Sequence, residues 1–152
     1  MKKILFVCHG NICRSPMAEF ILKDMIKKRG LENSFEVASA ATSSEETGNG
    51  VYPPARKILA EHGISCSGKT ARRITGADYN YYDFIIGMDS ANMYNMNRMW
   101  NDKDKKIKHI MMDFAGINRD VADPWYTGDY EQTYSDLILG CKAILKELTA
   151  VK

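Results

Sequence analysis

Apolar and polar positions follow two different rhythms along the chain. Lys3 to Val7 (KILFV) is a short apolar run of β-formers and reads as a buried strand. The pattern breaks at Cys8 to Ser15, then resumes with a helical period. Met17, Ala18, Ile21, Leu22, Met25 and Ile26 share one stripe, while Glu19, Lys23, Lys27 and Lys28 carry much of the opposite face. Pro16 suits a first helical turn, Ser15 is a candidate N-cap, and Arg29-Gly30 gives a basic last turn with a glycine stop. Phe35 to Ala41 predicts a second strand, and Thr42 to Pro54 is polar and rich in Gly and Pro, hence loop. A short helix is expected over Pro54 to His62, and a third strand over Phe84 to Met88, ending at Asp89. Ser90 can cap a helix running to about Trp100, and Ile107 to Met112 is expected to be a fourth strand. Gly116 to Gly128 shows no clear period. In the last helix Tyr134, Leu137, Ile138, Cys141, Ile144, Leu145 and Leu148 recur every three or four residues.

Strands alternating with helices predict an α/β fold with a parallel sheet covered on both faces. Active sites of such sheets lie beyond the carboxyl ends of the strands. Three loops with unusual chemistry fall at or near that end: Cys8 to Ser15, Thr42 to Pro54, and Val121 to Gly128.

Length narrows the picture. A chain of 152 residues is expected to form a single domain, 1–152, and to bury about 70% of its unfolded surface. It needs neither disulfides nor metal for a core. Apolar residues make up 45% and charged residues 26%, as in ordinary globular domains. No apolar run is long enough for a membrane span, and the run after Met1-Lys2-Lys3 is too short for a signal peptide. A cytoplasmic protein with no membrane partner is therefore expected. The net charge of +2 gives no concentrated basic face for nucleic acid, and the basic run Lys103 to Lys108 reads as a solvated loop. Four scattered cysteines do not make a disulfide scaffold. Cys8 and Cys13 are wrongly spaced for zinc, and His9, His62 and His109 are scattered, so neither metal nor cofactor is expected. A monomer is the default for a domain of this size with no marked apolar patch.

The chemistry concentrates in Cys8-His9-Gly10-Asn11-Ile12-Cys13-Arg14-Ser15-Pro16. This is neither a dinucleotide-binding nor a Walker loop. Gly10 and Asn11 both tolerate left-handed backbone, so the loop can curl and point consecutive N–H groups into one cavity. The helix that follows adds its own unpaired N–H groups, and Arg14 can clamp two oxygens with a planar fork. Thiols at helix N-termini and beside cations ionise more readily than free cysteine. Cys8 is thus a candidate nucleophile that needs no histidine base, in a cavity suited to a tetrahedral dianion. Phosphoryl transfer to sulfur is the implied reaction. Asn11 and Ser15 read as supporting groups, Asn11 holding the curl and Ser15 either donating to the Cys8 sulfur or capping the helix. Cys13 is near enough in the loop to pair with Cys8 under oxidation, which would protect the nucleophile from overoxidation. Cys141 reads as core.

An aryl phosphate leaves as a phenolate, whose conjugate acid has a pKa of about 10, so a proton donor helps. Asp123, in Val121-Ala122-Asp123-Pro124-Trp125-Tyr126, is the best candidate, because Pro124 stiffens the segment and keeps Asp123 extended. After transfer the same carboxylate can activate water. Trp125 and Tyr126 can wall a slot for an aromatic ring.

Taken together, CHGNICRSPMAE (Cys8 to Glu19), SAATSSEETGN (Ser39 to Asn49), GMDSAN (Gly87 to Asn92), DPWY (Asp123 to Tyr126) and the terminal helix resemble the low-molecular-weight protein tyrosine phosphatases over nearly the whole chain. The resemblance implies a three-layer α/β/α sandwich with a central four-stranded parallel sheet. It implies metal-free, two-step hydrolysis of phosphotyrosine proteins or small aryl phosphates through a phosphocysteine. It makes Cys8 the nucleophile, Arg14 the phosphate clamp and Asp123 the general acid, with Asn11, Ser39 and Asp89 in the supporting network and Tyr126 in the substrate wall. Two positions depart from the pattern. Glu45 stands where members often place a bulky or aromatic residue, which predicts a polar, negative wall and poor tolerance of acidic flanking residues. Lys69 falls where many members carry a histidine. Protein-arginine phosphatases are similar but tend to have threonine in place of Ile12, whose apolar wall suits a phenyl ring. Arsenate reductases of this scaffold need a close second pair of cysteines, and Cys66 and Cys141 do not form one. A non-catalytic phosphate-binding module would lack Cys8 or Asp123.

Overall fold

The computed structural model describes residues 1–102, 107–108 and 111–149. The segment 103–106 of the basic run, and His109, lie outside the described residues.

Strand β1 (Lys2–Cys8) lies at the centre of a parallel sheet, between β2 (Phe35–Ala41) and β3 (Phe84–Gly87). A two-residue strand, β4 (Ile107–Lys108), extends the sheet beyond β3, giving the order β2-β1-β3-β4. Side chains of β1 alternate between two cores, which is why its sequence is apolar without interruption. Ile4, Phe6 and Cys8 pack under α1 (Arg14–Lys28), α2 (Pro53–Glu61) and α6 (Tyr130–Leu148). Leu5 and Val7 pack on the other face, with Tyr79 of α3 (Gly76–Tyr81) and Met96 of α4 (Ser90–Met99). Three layers result. The register sets Cys8 beside Ala41 and Val7 beside Gly87, so all three longer strands end together beneath one rim. No helix among the described residues is long and apolar enough to cross a membrane.

Several expectations need correction. The fourth strand, expected over 107–112, is described for two residues only, and Met111–Ala115 forms a 3-10 helix packed on the main core. Ser15 does not cap α1. The cap position is Cys13, with no side-chain hydrogen bond, and Ser15 is buried with its hydroxyl on Cys8 Sγ. Nor does Ser90 cap α4: Asp89 does, its Oδ1 accepting from the Asn92 N–H at 2.8 Å. Helix α3 was not predicted, since its six residues offer no apolar period. Its signal was the Thr75/Asp78 capping box. Glu19, placed above on the polar face of α1, is only 4% exposed.

The buried thiols make alkaline stability predictable. Burial holds the Cys141 and Cys66 thiols above the ordinary range, and burial against the Tyr130 hydrogen bond leaves Cys13 at about 12. The folded protein therefore keeps protons that an unfolded chain releases above about pH 8.5. Stability is intact below that value and falls as pH rises from there towards 12, by up to about 1.4 kcal/mol per pH unit for each fully buried thiol. The urea midpoint is expected to drop between pH 7.5 and 9.5, and the drop is expected to be shallower in Cys141→Ala. A midpoint that does not move with pH would refute this.

Candidate active site

The loop Cys8 to Ser15 joins β1 to α1 at the carboxyl rim of the sheet. Its curl rests on one residue. Asn11 has a φ of 60°, a conformation that asparagine tolerates better than most residues. Gly10, expected to share this task, is not in the left-handed region. The curl turns the Asn11 N–H onto Cys8 Sγ at 3.3 Å, and Ser15 Oγ lies 3.0 Å from the same sulfur.

The direction of the Ser15 proton follows from its neighbours. Asn11 Nδ2 donates to Ser15 Oγ at 2.8 Å and to Ser39 Oγ at 2.9 Å. The Ser39 hydroxyl in turn donates to Glu19 Oε1 at 2.6 Å. Ser15 Oγ is thus occupied as an acceptor, and its hydroxyl proton is left for the Cys8 sulfur. Asn11 Oδ1 completes the clamp by accepting the Arg72 N–H at 3.2 Å. The buried Glu19 carboxylate is balanced by Lys23 and by Lys69, whose Nζ lies 3.5 Å from Oε1 and donates to the Ser39 carbonyl at 2.8 Å. Burial lowers the Lys69 ammonium below its ordinary range, with Glu19 opposing. Lys69 thus joins Glu19 and Ser39 in one hydrogen-bonded cluster.

Arg14 is the first residue of α1 and 2% exposed. Its Nη1 donates to Asp89 Oδ2 at 2.7 Å and to the Val121 carbonyl at 2.9 Å. Its Nη2 lies 3.4 Å from Asp123 Oδ2. Burial works against the guanidinium charge, but Cys8, Asp89 and Asp123 outweigh it and hold the group above its usual value. The fork is therefore charged and fixed in plane. Asp123 is held extended by the proline that follows it (φ −77°, ψ 112°) and caps the one-turn helix α5 (Pro124–Thr127). Its Oδ1 accepts from the Trp125 N–H at 3.0 Å, while Oδ2 faces Arg14.

A cleft of about 160 Å³ opens above the sulfur. It is lined by Cys8, His9, Gly10, Ile12, Cys13, Arg14, Glu45, Glu46, Asp123, Trp125 and Tyr126. Tyr126 is 84% exposed at its mouth. Tyr52 backs Trp125 with ring centroids 4.9 Å apart. Glu45 lies in the wall as expected, but its carboxylate is held by His9 Nε2 at 2.9 Å. Cys13 Sγ lies 3.7 Å from the Tyr130 hydroxyl, and both Cys8 and Cys13 are free thiols. His62 is remote from this chemistry and stacks on Tyr134.

Every residue singled out in the sequence for this site converges here: Cys8 to Ser15, Ser39, Glu45, Asp89, Asp123, Trp125 and Tyr126. Glu19, Glu46, Tyr52, Arg72 and Tyr130 were missed. Among the described residues no group of three or more His, Cys, Asp or Glu side chains is placed to hold a metal.

Comparison with known proteins bears on the chain as a whole. The family model described as low molecular weight phosphotyrosine protein phosphatase matches residues 3–152. The low molecular weight protein-tyrosine-phosphatase YfkJ of Bacillus subtilis is 36% identical over 154 residues, covering 100% of this chain and 99% of the relative. Its crystal structure superposes with a TM-score of 0.93 over 97% of this chain and 94% of that one. The Streptococcus pyogenes low molecular weight protein tyrosine phosphatase is 40% identical, with a TM-score of 0.88 over 99% of this chain and 95% of that one. A Drosophila arginine phosphatase is also similar in structure, at 27% identity and a TM-score of 0.90 over the full length of both chains. By the extent of these matches, the chain belongs to the low molecular weight phosphotyrosine protein phosphatase family.

Proposed function

We propose that residues 1–152, working as one domain, hydrolyse phosphotyrosine in proteins and small aryl phosphates through a phosphocysteine. The observation that carries this reading is the setting of Cys8. Its sulfur receives one backbone N–H and one hydroxyl at hydrogen-bonding distance, beside a buried, ion-paired arginine. Cys8 attacks phosphorus in line while Arg14 and the loop N–H groups hold the phosphate oxygens. Asp123 protonates the departing phenolate, then takes a proton from the water that releases phosphate. Ser15 stabilises the sulfur as leaving group in that second step. A nucleophile that must remain a free thiol suits the reducing cytoplasm, where we place a monomeric enzyme.

Ile12, 8% exposed, and Trp125 give the cleft apolar walls for a phenyl ring. Arginine phosphatase is the competing reading, on the structural likeness to the Drosophila enzyme. Phosphate release from matched phosphotyrosine and phosphoarginine peptides, metal-free and in reductant, separates the two. A clear preference in kcat/KM for phosphotyrosine is expected. Preference for phosphoarginine would overturn the substrate while keeping the Cys8 chemistry.

The Glu45 wall gives a second test. Replacing this carboxylate by an aromatic ring adds a stacking surface worth about 0.5–1.5 kcal/mol. Glu45→Trp is expected to raise kcat/KM on aryl phosphates by about two- to tenfold. An unchanged value would show that this position does not touch the ring.

A further inference from the structure

A second recess lies at the same rim of the sheet, outside the catalytic cleft. It has a volume of about 270 Å³ and is lined by Thr42, Arg73, Ile74, Asn95, Arg98 and Met99. Three pieces of chain build it. The end of β2 runs beside residues 72–74, with the Ala41 N–H on the Arg72 carbonyl and the Ile74 N–H on the Ala41 carbonyl, and Thr42 follows it. Helix α4 supplies Asn95, Arg98 and Met99, which are three and four positions apart and so share one face.

Its chemistry is one-sided. It has two guanidinium groups and no carboxylate in its lining. Arg14, Arg72 and Arg119 are each ion-paired with an aspartate, whereas Arg73 and Arg98 have no acidic partner among the described residues. Thr42 lines the recess, and its hydroxyl oxygen is buried behind the wall without a hydrogen-bond partner. Such a group costs free energy unless something bonds it. The rim carries exposed Met99 and, under Arg98, exposed Tyr94, with the guanidinium 5.7 Å from the ring centroid. Arginine, tyrosine and methionine are residue types enriched where proteins meet.

The recess also adjoins the catalytic loop, because the Thr42 N–H donates to the carbonyl of Cys8 at 3.0 Å. The cleft itself carries Glu45 and Glu46 and so opposes acidic groups. We infer that the recess is a docking subsite for an acidic residue of a protein substrate, its anionic oxygens held by Arg73 and Arg98 with Asn95 completing the contacts. Two planar forks can share a carboxylate or a phosphate. The inference rests on the phosphatase reading only in naming the occupant as substrate.

The test is binding, read by amide resonances of the intact protein. Three unphosphorylated or singly modified nonapeptides serve as probes: one with three glutamates, one with glutamines in their place, and one with a single phosphoserine. Saturable shifts at Thr42, Ile74 and Asn95 are expected with an anionic peptide and not with the glutamine control. Whichever anionic peptide binds more tightly identifies carboxylate or phosphate as the group recognised. Arg73→Gln/Arg98→Gln is expected to weaken binding about tenfold or more while leaving kcat/KM on p-nitrophenyl phosphate unchanged. Absence of shifts, shifts confined to residues 8–15, or binding that survives the double replacement would each overturn the subsite. Aryl phosphate turnover in the same sample tests the phosphatase reading separately.

Discussion

Cys8→Ser is expected to lose at least about 10⁴-fold in turnover of any phosphate ester, with the fold intact. Serine matches the thiol in shape, and residue 8 packs at the edge of the core beneath α1, so little stability is at stake. What changes is the nucleophile. The hydrogen bonds from the Asn11 N–H and the Ser15 hydroxyl suit a thiolate, and neither of these donors can take a proton from a serine hydroxyl. Rapid acid quench with a ³²P-labelled aryl phosphate should trap label on protein with the native enzyme and none with the variant. A variant that retains turnover, or native enzyme that never carries label under steady state, would remove Cys8 from the reaction.

Asp123→Asn comes next in size. The expected loss in kcat on a phosphotyrosine peptide is about 10²- to 10⁴-fold, the usual worth of a placed proton donor. The diagnostic feature is its dependence on the leaving group. A phenol of pKa about 10 needs the proton, whereas a strongly acidic phenol does not, so the defect in the first step should shrink as the leaving group improves. Asparagine can still accept the Trp125 N–H that Asp123 Oδ1 now receives, so the cap survives. An equal loss on good and poor leaving groups would mean that Asp123 acts only through its contact with Arg14.

The parts of this site that were legible in the sequence are those that adjoining residues specify. Cys8, Asn11, Arg14 and Ser15 lie within one strand-loop-helix unit, and a proline marks Asp123 as an extended residue at a helix start. What was not legible depends on partners distant in sequence. Glu19 reads as a polar-face residue because helical period alone sends charge outward. It is buried because Ser39 from β2 and Lys69 from the loop before α3 meet it there. Ser15 could not be assigned between cap and catalytic neighbour until Asn11 was seen to fill its acceptor role. The sheet was legible from the apolar runs of its three longer strands, whereas α3 and α5 are too short to show a period.

The two halves of the chemistry stand on ground of unequal firmness. Cys8 and Arg14 belong to the central strand and its following helix, walled in by core on both sides. Asp123 stands at the start of a single turn between Pro124 and Gly128, whose left-handed φ of 72° ends it, and that turn exposes both of its aromatic rings. A segment with so few buried contacts can open at small cost while the sheet stays closed. Opening of that turn would carry the proposed proton donor aside while leaving the proposed nucleophile in place.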